Sequence, residues 1–189
     1  MSLVPGDDAP DFTLQSIYKG VEEPISLSSM KGKFVVLMFY PLDFGYVTPT
    51  EFYQLEPLLR TFNDLNCSLL AISTEHIPSQ MSYLSKPKSE AGLDNMDLRL
   101  ASDPTGEVAK MYGVYKPEEN ICYRSNYVIN PEGKIISFDK YDLPVGCNMT
   151  ETLRDVQAAL EMRGRTSGGT PPEWEVGQPI VETGFKLEN

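Results

Sequence analysis

The sequence predicts an α/β domain: a mixed central sheet with helices on both faces, followed by a C-terminal arm. Three observations carry that prediction. The run Phe34 to Tyr40 is apolar throughout and rich in β-formers, as a strand covered on both faces must be. Strand and helix patterns then alternate, which is how parallel strands are joined. Finally, two strand patterns flank Asn130-Pro131-Glu132-Gly133, a strong hairpin turn, so part of the sheet is antiparallel.

Each element has its own signal. Asp11 to Gln15 and Ile25 to Leu27 read as short strands among prolines and glycines, and Met30 to Lys33 as a turn. Pro41 stops the strand that begins at Phe34. After the loop to Val47, TPTEFYQLEPLLRTFNDLN has helical spacing. Thr48, Pro49 and Glu51 give that helix a capping hydroxyl, a proline at its first position and a carboxylate three residues on. Cys67 to Thr74 is a second buried strand, and Ile77 to Leu84 a short helix closed by Lys86-Pro87. Ser89 to Asp97 reads as a loop, Leu98 to Ala101 as a strand and Thr105 to Tyr112 as a helix ended by Gly113. The hairpin strands run from Ile121 to Ile129 and from Lys134 to Tyr141. Met149 to Met162 is an amphipathic helix with Leu153, Val156, Gln157 and Leu160 along one side. From Arg163 the composition turns to Gly, Ser, Thr and Pro with one Trp, which divides the chain into a domain, 1–162, and an arm, 163–189, expected to be ordered where it docks. The whole order matches the thioredoxin architecture.

Composition bounds function. The chain has 189 residues and a net charge of −11, which argues against nucleic acid or anionic membranes as partners. No apolar run approaches the roughly 20 residues of a membrane span, and MSLVPGDDAPDF has no signal-peptide pattern, so a cytoplasmic protein is expected. Three unevenly spaced cysteines make no disulfide framework. The sequon Asn148-Met149-Thr150 is read as coincidental. No cofactor or metal is called for.

Motifs along nearly the full length carry a resemblance. GDDAPDF, LSSMKGKFVVLMFYPLDF, PTE, LNCSLLAIST, SDPTGEVAKMYGVY, YRSNYVINPEGKI, DLPVG and ETLRDVQA occur in one order and spacing. In these the chain resembles the typical 2-Cys peroxiredoxins, also called thioredoxin peroxidases or the alkyl hydroperoxide reductase C group. The resemblance implies a thioredoxin fold, thiol-dependent peroxide reduction and active-site positions at Pro41, Thr48, Glu51, Arg124 and Thr170. It also implies homodimers paired through the edge strand Lys134 to Tyr141, possible rings of dimers (a decamer in the family), and co-assembly with active relatives.

The departures decide the chemistry. Thr48 stands where the family has its peroxidatic cysteine, immediately before Pro49-Thr50-Glu51, and Thr170, in GGTPPEW, where it has the resolving one. Gly45 replaces a family threonine, Cys147 replaces a second active-site arginine after LPVG, and the Gly-Gly-Leu-Gly segment becomes Ala91-Gly92-Leu93-Asp94. Pro41, Glu51 and Arg124 are kept. A helix N-terminus and an arginine can lower a cysteine pKa from about 8.5 to about 3.5–7.5. They cannot make a threonine alkoxide at neutral pH, and alcohol oxygen has no counterpart to the sulfenic acid formed on peroxide reduction.

Two readings of Thr48 follow. It caps its helix, contributing about 0.5–2 kcal/mol relative to alanine, or it joins the helix N–H groups and Arg124 in a pocket for an anion or polar ligand. Arg124 is held either for a ligand or by a salt bridge to Glu51. His76, the single histidine, reads as a polar loop residue, and Cys67 as inert packing. Cys122, two residues before Arg124, would share its strand face, and Cys147 sits at the lost arginine position. Either is a candidate surrogate thiol. The expectation is thus an inactive homologue with a structural, regulatory or partner- or anion-binding role; the alternative is an oxidoreductase using Cys147 or Cys122 with Arg124.

Overall fold

The computed structural model describes residues 3–182. Along these residues run nine strands and five helices: β1 (Thr13–Tyr18), β2 (Val21–Ser26), β3 (Phe34–Phe39), α1 (Thr48–Leu55), α2 (Leu59–Asp64), β4 (Cys67–Ser73), α3 (Ile77–Ser85), β5 (Arg99–Ser102), α4 (Glu107–Met111), β6 (Tyr115–Lys116), β7 (Ile121–Cys122), β8 (Ser125–Ile129), β9 (Ile135–Phe138) and α5 (Met149–Met162). Seven strands form one sheet in the order β2-β1-β5-β4-β3-β8-β9. β3, β4 and β5 are parallel, and β1, β2, β8 and β9 join them antiparallel, so the sheet is mixed as the sequence implies.

Every residue of β3 is buried, because both sides of the sheet are covered. Val36, Met38 and Tyr40 pack with Phe52 and Leu55 of α1, Phe62 of α2, Tyr83 of α3 and Leu153 and Val156 of α5. Val35, Leu37 and Phe39 pack on the other side with Val108 and Ala109 of α4 and with Phe12, Leu27 and Met30 from the N-terminal segment. The period-2 alternation of β3 therefore divides one apolar run between two cores.

Several expectations need correction. The first strand is shifted to Thr13–Tyr18, and its partner is longer than expected, at Val21–Ser26, because pairing with β1 holds even Glu22, Glu23 and Pro24 in register. Pro57 breaks the long helix into α1, a single 3-10 turn and α2. Thr48 is the first helical residue rather than the cap: Val47 is the cap, it makes no side-chain capping bond, and Pro49 therefore takes the second helical position. The strand expected over 121–129 is interrupted at Tyr123 and Arg124. β7 pairs with β6 in a separate two-stranded sheet, and Arg124 makes a lone bridge to Tyr141.

The helix α5 has the bounds its periodicity gave. Asn148 caps it, accepting from the N–H groups of Thr150 and Glu151, so the sequon's asparagine has a structural role. Met149, Thr152, Leu153 and Val156 face inward; Leu160, placed on that side by the sequence, is exposed.

The two sheet edges differ. β2 lies at one and presents exposed Glu22, Glu23 and Pro24. β9 lies at the other, with Ile136 and Phe138 partly open. The arm after α5 is anchored by Trp174, whose side chain is 1% exposed and whose indole N–H donates to the carbonyl of Gln178 at 3.0 Å. Gly169 and Val181 pair antiparallel and close the arm on itself. Residues 183–189 of the arm lie outside the described residues.

Trp174→Ala is expected to free the arm without unfolding the sheet. Trypsin should then cut after Arg163 and Arg165 on the order of tenfold faster than in wild type, because the arm's local opening becomes easier. Equal cleavage rates would show that the indole is not what holds the arm.

A candidate functional site at the start of helix α1

β3 ends at Phe39, and the loop from Pro41 to Val47 delivers the chain to α1 on the side of the sheet that carries α3 and α5. The first turn of α1 is buried: Thr48 is fully covered and Glu51 is 7% exposed. Arg124, 4% exposed, reaches them from the break between β7 and β8. Its Nη1 donates to Thr48 Oγ1 at 3.0 Å and to Glu51 Oε2 at 2.6 Å, and its Nε donates to the carbonyl of Leu143 at 2.7 Å. The other oxygen of Glu51 accepts the backbone N–H of Cys147 at 2.7 Å. The Asp142–Cys147 loop thus closes the site with two main-chain groups, Leu143 C=O and Cys147 N–H.

Burial pushes the Glu51 carboxyl above its usual range, and the Cys147 N–H and the Arg124 guanidinium pull it back only in part. The ion pair is nevertheless close and fully formed. Glu51 therefore neutralises much of the positive potential that Arg124 and the helix start would offer an anion.

The sequence-derived site residues separate into two groups. Pro41, Thr48, Glu51 and Arg124 are gathered at this end of the sheet, with the backbone of Cys147. Thr170 is elsewhere. It faces a groove beside Phe34, Arg154, Ala158 and Met162, near the start of β3. Within one chain the two threonines therefore lie at opposite ends of a six-residue strand, about 17 Å long at 3.3 Å per residue.

Neither surrogate thiol has an activating environment. Cys122 is fully buried and packs with Phe39, Tyr112 and Val114 in the core across the sheet from Arg124's partners. The expected shared face fails because the strand is broken at Tyr123 and Arg124. Burial raises its thiol pKa well above normal, and Asp103 adds to the rise. Cys147 is close to the site, but its Sγ lies 3.6 Å from Asp139 Oδ1. Burial first, then Asp139 and Glu51, drive its pKa far upward, and Arg124 offsets little. Cys67 is pushed up to about 12 by burial. A thiol held neutral is a poor nucleophile.

Two groups of partners escaped the sequence reading. Asp139 receives the backbone N–H of Asn126 at 2.6 Å as well as the Cys147 thiol, and so ties β8 to the site loop. Tyr53 of α1 donates to the carbonyl of Gly92 at 2.8 Å, and Lys88 pairs with Glu56, so the Lys86–Asp94 segment braces the helix. Gly92 must be glycine, since a Cβ there would collide with the carbonyl of Lys86. No linear spacing announces either arrangement. A polar residue inside an apolar strand, such as Asn126, was the one available hint. His76 is exposed, just before α3, and takes no part.

The AhpC/TSA family profile matches residues 5–138. The chain belongs to this family, that of the typical 2-Cys peroxiredoxins. Peroxiredoxin prdx-2 of Caenorhabditis elegans is 35% identical over 195 residues, covering 98% of this chain and 96% of that protein. Peroxiredoxin-2 of Mus musculus is 34% identical over 177 residues, covering 94% and 89%. The reduced 2-Cys peroxiredoxin of Plasmodium vivax superposes with a TM-score of 0.88 at 26% identity, over 93% of this chain and 91% of that one. Enterococcus faecalis AhpC shares the fold, with a TM-score of 0.82 at 24% identity over 90% and 100%. This peroxiredoxin thus keeps the thioredoxin-like scaffold and carries a hydroxyl at the start of α1. Among the described residues, no group of three or more His, Cys, Asp or Glu side chains could hold a metal, and no helix is long and apolar enough to cross a membrane.

Proposed function

We propose that this peroxiredoxin has no thiol peroxidase activity of its own and serves a structural or regulatory role in the cytoplasm. It would pair with a second copy, or with a cysteine-bearing relative, along the edge strand β9, and such pairs could close into rings. The observation that carries the proposal is the bond from Arg124 Nη1 to Thr48 Oγ1. The guanidinium that would stabilise a thiolate here donates to an alcohol, which peroxide does not oxidise under these conditions. The close Glu51 partner disfavours the anion-binding reading, because the guanidinium's charge is already compensated. Burial of all three thiols disfavours a surrogate. Exposed apolar side chains on β9 support edge pairing, which would run beyond Ile135, whose own N–H and carbonyl are already bonded to Asp7 and Gly6.

The test combines two measurements on the purified chain. With hydrogen peroxide and a thiol reductant, no catalytic loss of peroxide and no added oxygen on the protein are expected. Turnover that disappears in Cys147→Ser or Cys122→Ser would establish the surrogate-thiol enzyme instead. Elution of the chain alone, and mixed with an active typical 2-Cys peroxiredoxin, then reports association; a strictly monomeric chain in both would refute the assembly role.

A further inference from the structure

Asp43, in the loop between β3 and α1, is a buried carboxylate outside the Arg124 cluster, 8% exposed and without a cationic partner among the described residues. Its Oδ1 accepts from the Tyr40 hydroxyl at 3.0 Å and its Oδ2 from the Ser79 hydroxyl of α3 at 2.7 Å. The Tyr40 oxygen in turn receives Gln80 Nε2 at 3.5 Å. The charged and titratable groups facing Asp43 are the Tyr40 phenol just after β3, the Glu75 carboxylate from the turn before α3 and the Tyr83 phenol from α3. None is positive. Two buried polar atoms beside this cluster, the Tyr83 hydroxyl and Gln80 Oε1, have no hydrogen-bond partner among the described residues.

The loop bonded in this way is conspicuous at the surface. It carries Leu42, Phe44 and Tyr46, and Tyr46 is fully exposed. Phe44 has φ 55°, in the left-handed region that non-glycine residues seldom occupy, and its ring rests on Tyr83 at 4.9 Å. Two attachments therefore seat the loop on α3: the Asp43 hydrogen bonds and the Phe44–Tyr83 contact.

We propose that Asp43 is a proton-operated latch that seats the 41–47 loop against α3 and so governs how this peroxiredoxin presents the apolar side chains of that loop. The physical reason is an imbalance. Ionised, the carboxylate has two neutral donors and a like charge nearby, and it gains hydration if the loop lifts. Protonated, it has no such incentive. Burial raises the seated carboxyl to about 6, with the Ser79 and Tyr40 hydroxyls lowering it and Glu75 raising it. The seated form thus binds the proton more tightly than a lifted, hydrated form would. Seating is favoured as pH falls through about 6 and weakened as pH rises past it. The latch stands whether or not any thiol of the chain reacts with peroxide.

Hydrogen exchange of the full chain, followed by mass spectrometry on peptides spanning residues 42–47, tests this. After correction for intrinsic exchange, the loop's opening constant is expected to be about tenfold larger at about pH 7.5 than at about pH 5. Asp43→Asn keeps acceptor and shape but cannot titrate, and its loop should open equally at both. Ser79→Ala keeps the carboxyl and removes one donor to its charged form, so the midpoint should move upward. A wild-type loop indifferent to pH, a D43N loop that responds as wild type does, or an unmoved midpoint in S79A would each overturn the latch. If D43N does not fold, wild type and S79A alone decide.

Discussion

Arg124→Ala is expected to destabilise the fold by about 3–5 kcal/mol, the usual cost of stranding one member of a buried ion pair. Glu51 would be left 7% exposed with the Cys147 N–H alone to stabilise its charge, and the Leu143 carbonyl would lose its donor. Thr48 would lose its partner too. Replacing both charges, as in Arg124→Met with Glu51→Leu, should cost less than the single change, because no uncompensated charge remains. The pH dependence has a definite sign. A carboxyl whose pKa is higher folded than unfolded adds stability as pH falls, so the deficit of R124A should shrink in mild acid. Denaturant titrations with unchanged slopes would measure these differences. A loss under about 1 kcal/mol would mean that the pair does not organise the site.

Thr48→Cys should convert an inert position into a reactive one. The sulfur would sit at the start of α1, at the end of Arg124's 3.0 Å bond. There, with Glu51 offsetting part of Arg124's charge, its pKa should fall from about 8.5 towards about 7.5, the upper end of the activated range, which raises the thiolate fraction at neutral pH nearly tenfold. Added hydrogen peroxide should then place one oxygen on the introduced sulfur, read by intact mass and located by peptide mapping. Catalytic turnover should depend on an external thiol, since Thr170 supplies no resolving sulfur and lies at the far end of β3. Adding Gly45→Thr should strengthen the effect. A Cβ at Gly45 would meet Leu42 O and Thr48 Oγ1 at 3.5 Å, an ordinary contact, so a hydroxyl can be restored beside the reacting atom. A T48C thiol that resists peroxide would show that the remaining residues no longer form a peroxidatic environment.

Local patterns along the chain carried most of the architecture. The apolar run of β3 can be satisfied only under cover from both sides, and the Asn130–Gly133 turn leaves its flanking strands little choice but to pair. The bounds of α5 follow from its spacing and from the cap that precedes it. What was lost is what depends on other segments. Thr48 reads in sequence either as a cap or as a neighbour of Arg124, and only the fold, which brings Arg124 from 76 residues away to donate to its hydroxyl, decides against the cap. Cys122 and Arg124 are two apart, and period-2 reasoning puts them on one face; the break between β7 and β8 puts them on opposite sides. From the sequence this strand is expected only from Ile25; β2 starts at Val21 and runs through Pro24, which an edge strand tolerates. For the site, the residue identities and the Arg124–Glu51 salt bridge were legible, and the main-chain partners that complete it, the Leu143 carbonyl and the Cys147 N–H, were not.

Were pairing to run along β9 as proposed, the unlike borders of the sheet would also limit its stoichiometry. A neighbour's strand would hydrogen-bond along β9 beyond Ile135, where the N-terminal segment already pairs, whereas two glutamates and a proline at the β2 border would repel or fail to receive one. Growth by strand addition would then be one-sided: once two molecules had joined, each would have spent its single receptive margin, and the ribbon could not lengthen into a fibre.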